Sequence, residues 1–190
     1  PFFIGIISYM KHLILKGIMI LLVCLCAQSV YAQRLAVRTN ALDWLILTPN
    51  ASVEFRLNQK LTLDFGLALN PVTKPIHGVC WTNFRVQPQL RYWFNRPMAR
   101  HFLAFSPMFM DYKAQWNERV YAGDLLSVGL TYGYDLVLNK HWNMEFSVGC
   151  GVGKTRCYRY HVDEGKPDNL NYSTWIPIPQ VGISFAYIFR

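Results

Sequence analysis

The sequence predicts an all-β protein: an antiparallel up-and-down transmembrane β-barrel of about eight strands, preceded by a secretory signal peptide. Three observations carry this. After Gln33, apolar and polar residues alternate with period 2 again and again, and no 3.6-residue pattern competes. The apolar faces run unbroken for about ten residues, which suits tilted strands crossing a bilayer. The connections alternate between short and long, as when turns lie on one side of a membrane and loops on the other.

The chain opens with nine residues, PFFIGIISY, that read as an upstream extension. From Met10 the basic MKHLILK, the apolar run GIMILLVCLCA and the small-residue ending QSVYA follow in the order of a signal peptide, with cleavage expected after Ala32. The run is shorter than the roughly 20 apolar residues of a membrane helix. Lys11, His12 and Lys16 also interrupt any longer anchor. Val23 and Leu25 precede Cys24 and Cys26 where lipoprotein processing needs a small residue, which argues against a lipoprotein. Removing residues 1–32 from the 190 leaves 158, residues 33–190, one domain's worth, and Lys11 and Lys16 take the formal charge from +8 to +6. That charge is unclustered, which argues against nucleic acid as a partner.

The strands fall at about 34–44, 51–57, 61–70, 84–94, 101–112, 125–138, 142–155 and 176–189. In Leu61–Leu69 the odd positions are apolar and the even ones polar or small; in Phe84–Tyr92 the even positions are apolar. From Leu126 to Leu138 the second face is Ser127, Gly129, Thr131, Gly133 and Asp135. From Trp142 to Val152 it is Asn143, Glu145, Ser147, Gly149 and Gly151. The last strand ends on Phe185, Tyr187 and Phe189, an aromatic terminus like those read by barrel-assembly machinery, with Arg190 beyond it. Short turns are expected at Asn58–Lys60, Asn95–Arg100 and Asn139–His141. Longer connections are expected near Asn70–Asn83, Lys113–Asp124 and Arg156–Thr174.

Parity places Arg38, Asn40, Glu54, Arg56, Asp64, Arg85, Gln87, Gln89, Arg91, Asp135 and Glu145 inside. Four arginines and four acids (Arg38, Arg56, Arg85, Arg91; Glu54, Asp64, Asp135, Glu145) form the expected lumen ion network, because each buried charge needs an opposite partner. Counting from the short turns puts Glu54, Asp64, Arg91, Asp135 and Glu145 in one belt on the periplasmic side. A filled lumen is one reading and a gated polar pore the other. Toward the opposite end, Gly66, Ala68, Ser127, Gly129, Gly149, Gly151, Gly153, Gly182 and Ser184 either leave a pocket or allow strand curvature.

Few motifs point to chemistry. Gly151-Val152-Gly153-Lys154-Thr155 lacks the earlier P-loop glycine, since Val148 holds its place, and lies in an alternating strand. A lipid-modifying barrel would draw on His77, Asp111, His161 and Ser173, but no spacing enforces a nucleophile–base pair. His161, Asp163, Glu164 and Asp168 are a candidate divalent-cation loop against a plain charged loop, and Asn171-Tyr172-Ser173 is a sequon of chance specificity. Trp44, Trp81, Trp116, Trp142 and Trp175 near strand ends suit interfacial girdles. Of the mature cysteines, Cys150 should face lipid, while Cys80 and Cys157 lie in outer connections as a candidate disulfide. No C-x-x-C pair supports a zinc or redox site.

Arg38-Thr39-Asn40-Ala41-Leu42, then Leu47-Thr48-Pro49-Asn50 and Val53-Glu54-Phe55, resembles the opening of the domain of unknown function 3575 family. Gln89-Leu90-Arg91-Tyr92-Trp93-Phe94, Tyr132-Gly133-Tyr134 and Met144-Glu145-Phe146-Ser147-Val148-Gly149 continue the resemblance through nearly all of the mature chain. The resemblance implies a secreted outer-membrane barrel of Bacteroidetes, in some cases associated with fimbriae, and supplies no catalytic residues. The expected function is a non-enzymatic envelope or surface role, anchoring or assisting surface assemblies, without a cofactor. Its expected partners are outer-membrane lipid, the barrel-assembly machinery and a surface protein at the long loops. The alternatives are a narrow pore or binder for a small molecule, and then a lipid-modifying enzyme.

Overall fold

The computed structural model describes residues 35–72, 79–161, 167 and 172–189. The signal-peptide expectation, His77, Asp163, Glu164, Asp168, Asn171 and Arg190 lie outside the described residues. Eight antiparallel strands close into a barrel in chain order. They are β1 (Leu35–Asn40), β2 (Asn50–Arg56), β3 (Leu61–Asn70), β4 (Val79–Trp93), β5 (Arg100–Trp116), β6 (Arg119–Val137), β7 (Trp142–His161) and β8 (Tyr172–Phe189). Closure pairs Leu35 with Phe189 and ends at Asn40 opposite Ser184. The barrel and the up-and-down order are as the alternation predicts.

The strand lengths differ from expectation in a patterned way. β1 stops at Asn40, and a helical turn, α1 (Ala41–Leu45), takes the place of its second half. Asn40 terminates the strand by capping that turn, its Oδ1 accepting the Leu42 N–H at 3.0 Å. β5 and β6 run well past their expected ends and pair until Trp116 meets Arg119. The long connection expected at Lys113–Asp124 is therefore a hairpin with a two-residue turn, Asn117 at φ 52° supplying the left-handed residue. The wall is low at β1–β3 and tall at β5–β8.

At the other end the turns are short, and asparagine makes two of them. Asn58 Oδ1 accepts the Lys60 and Leu61 N–H groups at 2.8 Å, and Asn139 Oδ1 those of His141 and Trp142 at 2.9 Å. Between β4 and β5 the turn folds under the barrel, burying Met98 and Ala99. Here Met98 adopts φ 59°, and its carbonyl accepts from Asn143 Nδ2 at 2.8 Å.

Outward faces are apolar. On β7, Met144, Phe146, Val148, Cys150 and Val152 continue up from Trp142. Those rungs make a belt roughly 25 Å tall at a rise of about 3.3 Å per residue and a tilt near 40°. Above it the same face turns polar, with Asp124 accepting from Arg156 at 2.8 Å. Prolines mark where the ladder is incomplete. Pro88 pairs with Phe65 and Pro107 with Val128, while the β4–β5 ladder skips from Val86–Phe109 to Leu90–Phe105 where the two prolines face each other. Each keeps its partner on one side and drops it where its N–H is missing.

Candidate functional site

The lumen is layered. Its floor, at the short-turn end, is apolar and closed: Trp93 and Phe102 pack with ring centroids 4.8 Å apart, and both are fully buried with Ala104. Met98, Ala36 and Ile188 cluster beside them. Trp93 Nε1 donates to Thr62 Oγ1 at 2.8 Å, and Thr62 in turn bonds Glu54. Gly133 lies against the Phe102 ring, where a Cβ would come within 2.2 Å of it; this glycine is required by close approach.

On this floor sits a buried ion network. Arg91 reaches Glu145 at 2.8 Å, Asp64 at 3.2 Å and Glu54 at 3.6 Å, with its guanidinium 4.8 Å from the Phe102 ring centre. Arg38 is paired with both Glu54 and Glu145. So the structure brings together Arg38, Glu54, Asp64, Arg91 and Glu145. Asp135 is buried alongside but bonds Asn143 Nδ2 at 3.0 Å instead of an arginine. The other two expected members do not join. Arg56 bends to the turn, its Nε donating to Asn58 O at 3.1 Å. Arg85 lies three rungs above Arg91 on β4, about 20 Å along the strand, and pairs with Asp43 of α1. Parity fixed the face of each arginine but not its height.

Above the network the barrel holds a cavity of about 350 Å³. Arg38, Arg91, Asp64 and Glu145 form its base; Ser52, Gly66, Gln87, Met108, Ser147 and Gly182 are among its walls. Of the small residues expected to make a pocket, Gly66, Gly182 and Ser184 line it. Gly149, Gly151 and Gly153 instead admit neighbouring strands, since a Cβ on each would meet β6 atoms within 2.4–2.7 Å. Trp81 faces this cavity, whereas Trp44, Trp116, Trp142 and Trp175 are exposed.

The segment 41–49 is clamped into the wall by its own sequence. Asn50 exchanges two bonds with Asn40, accepting its N–H at 2.7 Å and donating to its carbonyl at 2.9 Å. Thr39 Oγ1 donates to Asn50 O at 2.8 Å. Thr48 is buried and receives Asn70 and Asn83 amides at 3.4 and 3.5 Å, and Pro49 O accepts the Leu69 N–H at 3.0 Å. Asp43 points into the lumen toward Arg85, while Trp44 lies outside, its Nε1 donating to Thr39 Oγ1 at 2.8 Å. Asn50→Ala should cost about 1–2 kcal/mol, because it leaves partly buried backbone groups of Asn40 unpaired. Amide exchange should then accelerate first in residues 41–49.

Among the described residues, the enzymatic candidates Asp111, His161 and Ser173 are not brought together. Asp111, Asp124, Arg156 and Ser173 lie in one row across β5–β8. Asp111 and Ser173 are thus three strand spacings, about 14 Å, apart. His161 pairs with Arg119 higher up. Gly151–Thr155 is a continuous part of β7. Among the described residues no group of three or more His, Cys, Asp or Glu is arranged to hold a metal.

Cys80, Cys150 and Cys157 are free thiols, so the expected Cys80–Cys157 bond is corrected. The two sulfurs belong to opposite faces. Cys80 shares the outer face with Thr82 and donates to Val72 O at 3.2 Å. Cys157 is buried on the inner face in line with Thr155 and Gly153. Mass mapping of freshly folded protein should find all three thiols alkylatable after unfolding without reductant.

Comparison with curated proteins and with solved structures gives no match. A family model described as Protein of unknown function (DUF3575) matches residues 18–189. The stretches on which the resemblance rests converge in space: Arg38, Glu54, Arg91 and Glu145 make the ion network, and Asn40, Thr48 and Asn50 clamp the wall above it. With the match extending over nearly the whole chain, the protein belongs to the DUF3575 family.

Proposed function

We propose that the protein is an outer-membrane barrel that binds a small molecule in its lumenal cup and does not conduct solute. The outward apolar belt and polar lumen support the membrane setting. The observation that carries the binding role is a cavity of about 350 Å³ above a floor sealed by Trp93, Phe102 and Met98. That volume lies in the range of small-molecule sites, roughly 300–1,000 Å³. A pore would need a continuous path, and buried rings close this one.

The test is native mass spectrometry of the barrel extracted from its own envelope, with vesicle swelling alongside. The expected result is a bound small molecule, lost from Gly66→Leu, and no swelling. A folded barrel without added mass, or with solute flux, would overturn the reading. The tall β5–β7 wall supports a second role, contact with a surface protein. Shortening the hairpin across Ala114–Tyr121 should then abolish that contact and leave the bound molecule in place.

A further inference from the structure

We propose that the cup's ligand is a single-chain amphiphile with an uncharged, hydrogen-bonding head, taken up sideways from the bilayer between β8 and α1. This rests on the cup being a binding site. Three observations lead to it.

First, the barrel wall is incomplete there. β8 continues from Ser184 up to Tyr172, yet β1 pairs with it only as far as Ser184. The Ile183 N–H, the next to point toward β1, is taken by the Asn40 side chain at 3.3 Å. Val181, Pro179 and Pro177 follow at alternate positions and share its orientation, and of these the two prolines carry no N–H. Both still pair with β7, opposite Cys150 and Val152. Two potential donors are thus removed from the edge that lacks a strand partner among the described residues. The wall beside it is one helical turn, which offers β8 no ladder.

Second, the lining of the cavity extends to outward residues on both flanks of this gap, on β8 and, across α1, on β1–β3. Its lining includes Thr39, Ala51, Leu67, Pro179 and Val181, all on outward faces, together with lumen residues such as Gly182 and Ser184. At the Pro88–Pro107 interruption, by contrast, the cavity is lined only from inside, by Gln87, Gln89 and Met108. The β8 seam is where lumen and belt form one continuous surface.

Third, the two ends of that surface differ in chemistry. Outside lie Leu67, Pro179 and Val181, with Ile46 at the same opening. Inside, the lining residues Arg38, Arg85 and Arg91 are matched one for one by Asp43, Asp64 and Glu145, and Glu54 beneath them also pairs with Arg38, so every arginine the head would meet is already engaged. Asn40, Asn50, Asn83, Gln87, Gln89 and Gln180 supply amides in abundance. Paired charges and amides suit hydroxyl or amide groups better than a phosphate or an ammonium.

The probe is dodecyl maltoside bearing a benzophenone at its chain end, added below solubilising concentration to the full mature protein in phosphatidylcholine vesicles. Illumination should label Ile46, Leu67, Pro179 and Val181, saturably, and unlabelled dodecyl maltoside in excess should displace the label. Val181→Lys places a charge at the seam and should reduce this labelling by about tenfold. Gly66→Leu should abolish it, since a Cβ at Gly66 meets Gln87 O at 3.3 Å, a close fit that a small backbone shift accommodates, and Ser52 Cβ at 3.5 Å, and the longer side chain then fills the cup. Each variant is first checked for the heat-modifiable gel mobility of a folded barrel, with Val181→Asn replacing the lysine variant where that fails.

Label spread evenly over belt residues such as Phe105 and Val148 would overturn the proposal, as would Val181→Lys labelling like wild type. If a small molecule co-purifies with wild type and not with Gly66→Leu while seam labelling is absent, the cup binds and sideways uptake is wrong. If neither is found, both readings fall.

Discussion

Replacing Arg91 with leucine is expected to destabilise the barrel by about 3–5 kcal/mol, because it strands Asp64 and leaves Glu54 and Glu145 to share the single charge of Arg38 in a lumen closed to water from below. Arg91 is 3% exposed and, among the described residues, its ion pair is what joins Asp64 to the rest of the network. Urea unfolding of the protein reconstituted in vesicles measures the effect. Arg38 cannot take over, since it is already paired with Glu54 and Glu145. Unchanged unfolding would mean that water reaches the network freely, and the sealed floor would then be wrong as well. Arg56→Leu provides the contrast: its guanidinium sits at an exposed turn, so the loss should be well under 1 kcal/mol.

Trp93→Ala is expected to cost about 3–5 kcal/mol, the range for removing a large buried aromatic. The indole packs on Phe102 and donates to Thr62, which itself bonds Glu54. Its loss therefore opens a void beneath the network and leaves the Thr62 hydroxyl one partner short. Since Arg91 stacks on the same Phe102 ring, the two substitutions should not add. A double-mutant cycle showing simple additivity would mean that floor and network are independent layers.

Much of this was legible because a barrel strand has two faces and a period of two. Parity alone separates Arg91 from Leu90 and Glu145 from Phe146, and distance from a turn brings Glu54, Asp64, Arg91 and Glu145 to similar heights. What parity cannot give is the third dimension of the lumen. Arg85 shares the face of Arg91, but its height sends it to Asp43. Asp43 itself was a visible warning: had β1 continued to residue 44, this carboxylate would have faced outward beside Val37 on the apolar belt. The helical turn resolves that conflict. The hairpin above the belt was hidden for a different reason. Both of its faces meet water, so Lys113, Gln115, Asn117 and Glu118 lose the alternation that marks a strand. The cysteines were placed at the right end of the barrel, but their sidedness depends on β4 and β7 extending further than the apolar pattern does.

The brief pairing of β1 with β8 also bears on how the molecule reaches its closed state. Every other ladder in the ring joins neighbouring hairpin strands, which form over short chain separations. Closure alone brings together the two ends of the described chain, with the largest loop entropy to overcome, and its ladder has only six residue pairs, supported by the Arg38–Glu145 ion pair and the Ala36–Ile188 contact. A β7–β8 ladder of sixteen pairs is far better secured. The β1–β8 ladder is therefore expected to zip last during assembly and to open first near the midpoint of unfolding. Amide exchange should show Val37 and Tyr187 losing protection while the β6–β7 core still holds, which makes this junction the weakest cooperative unit of the barrel.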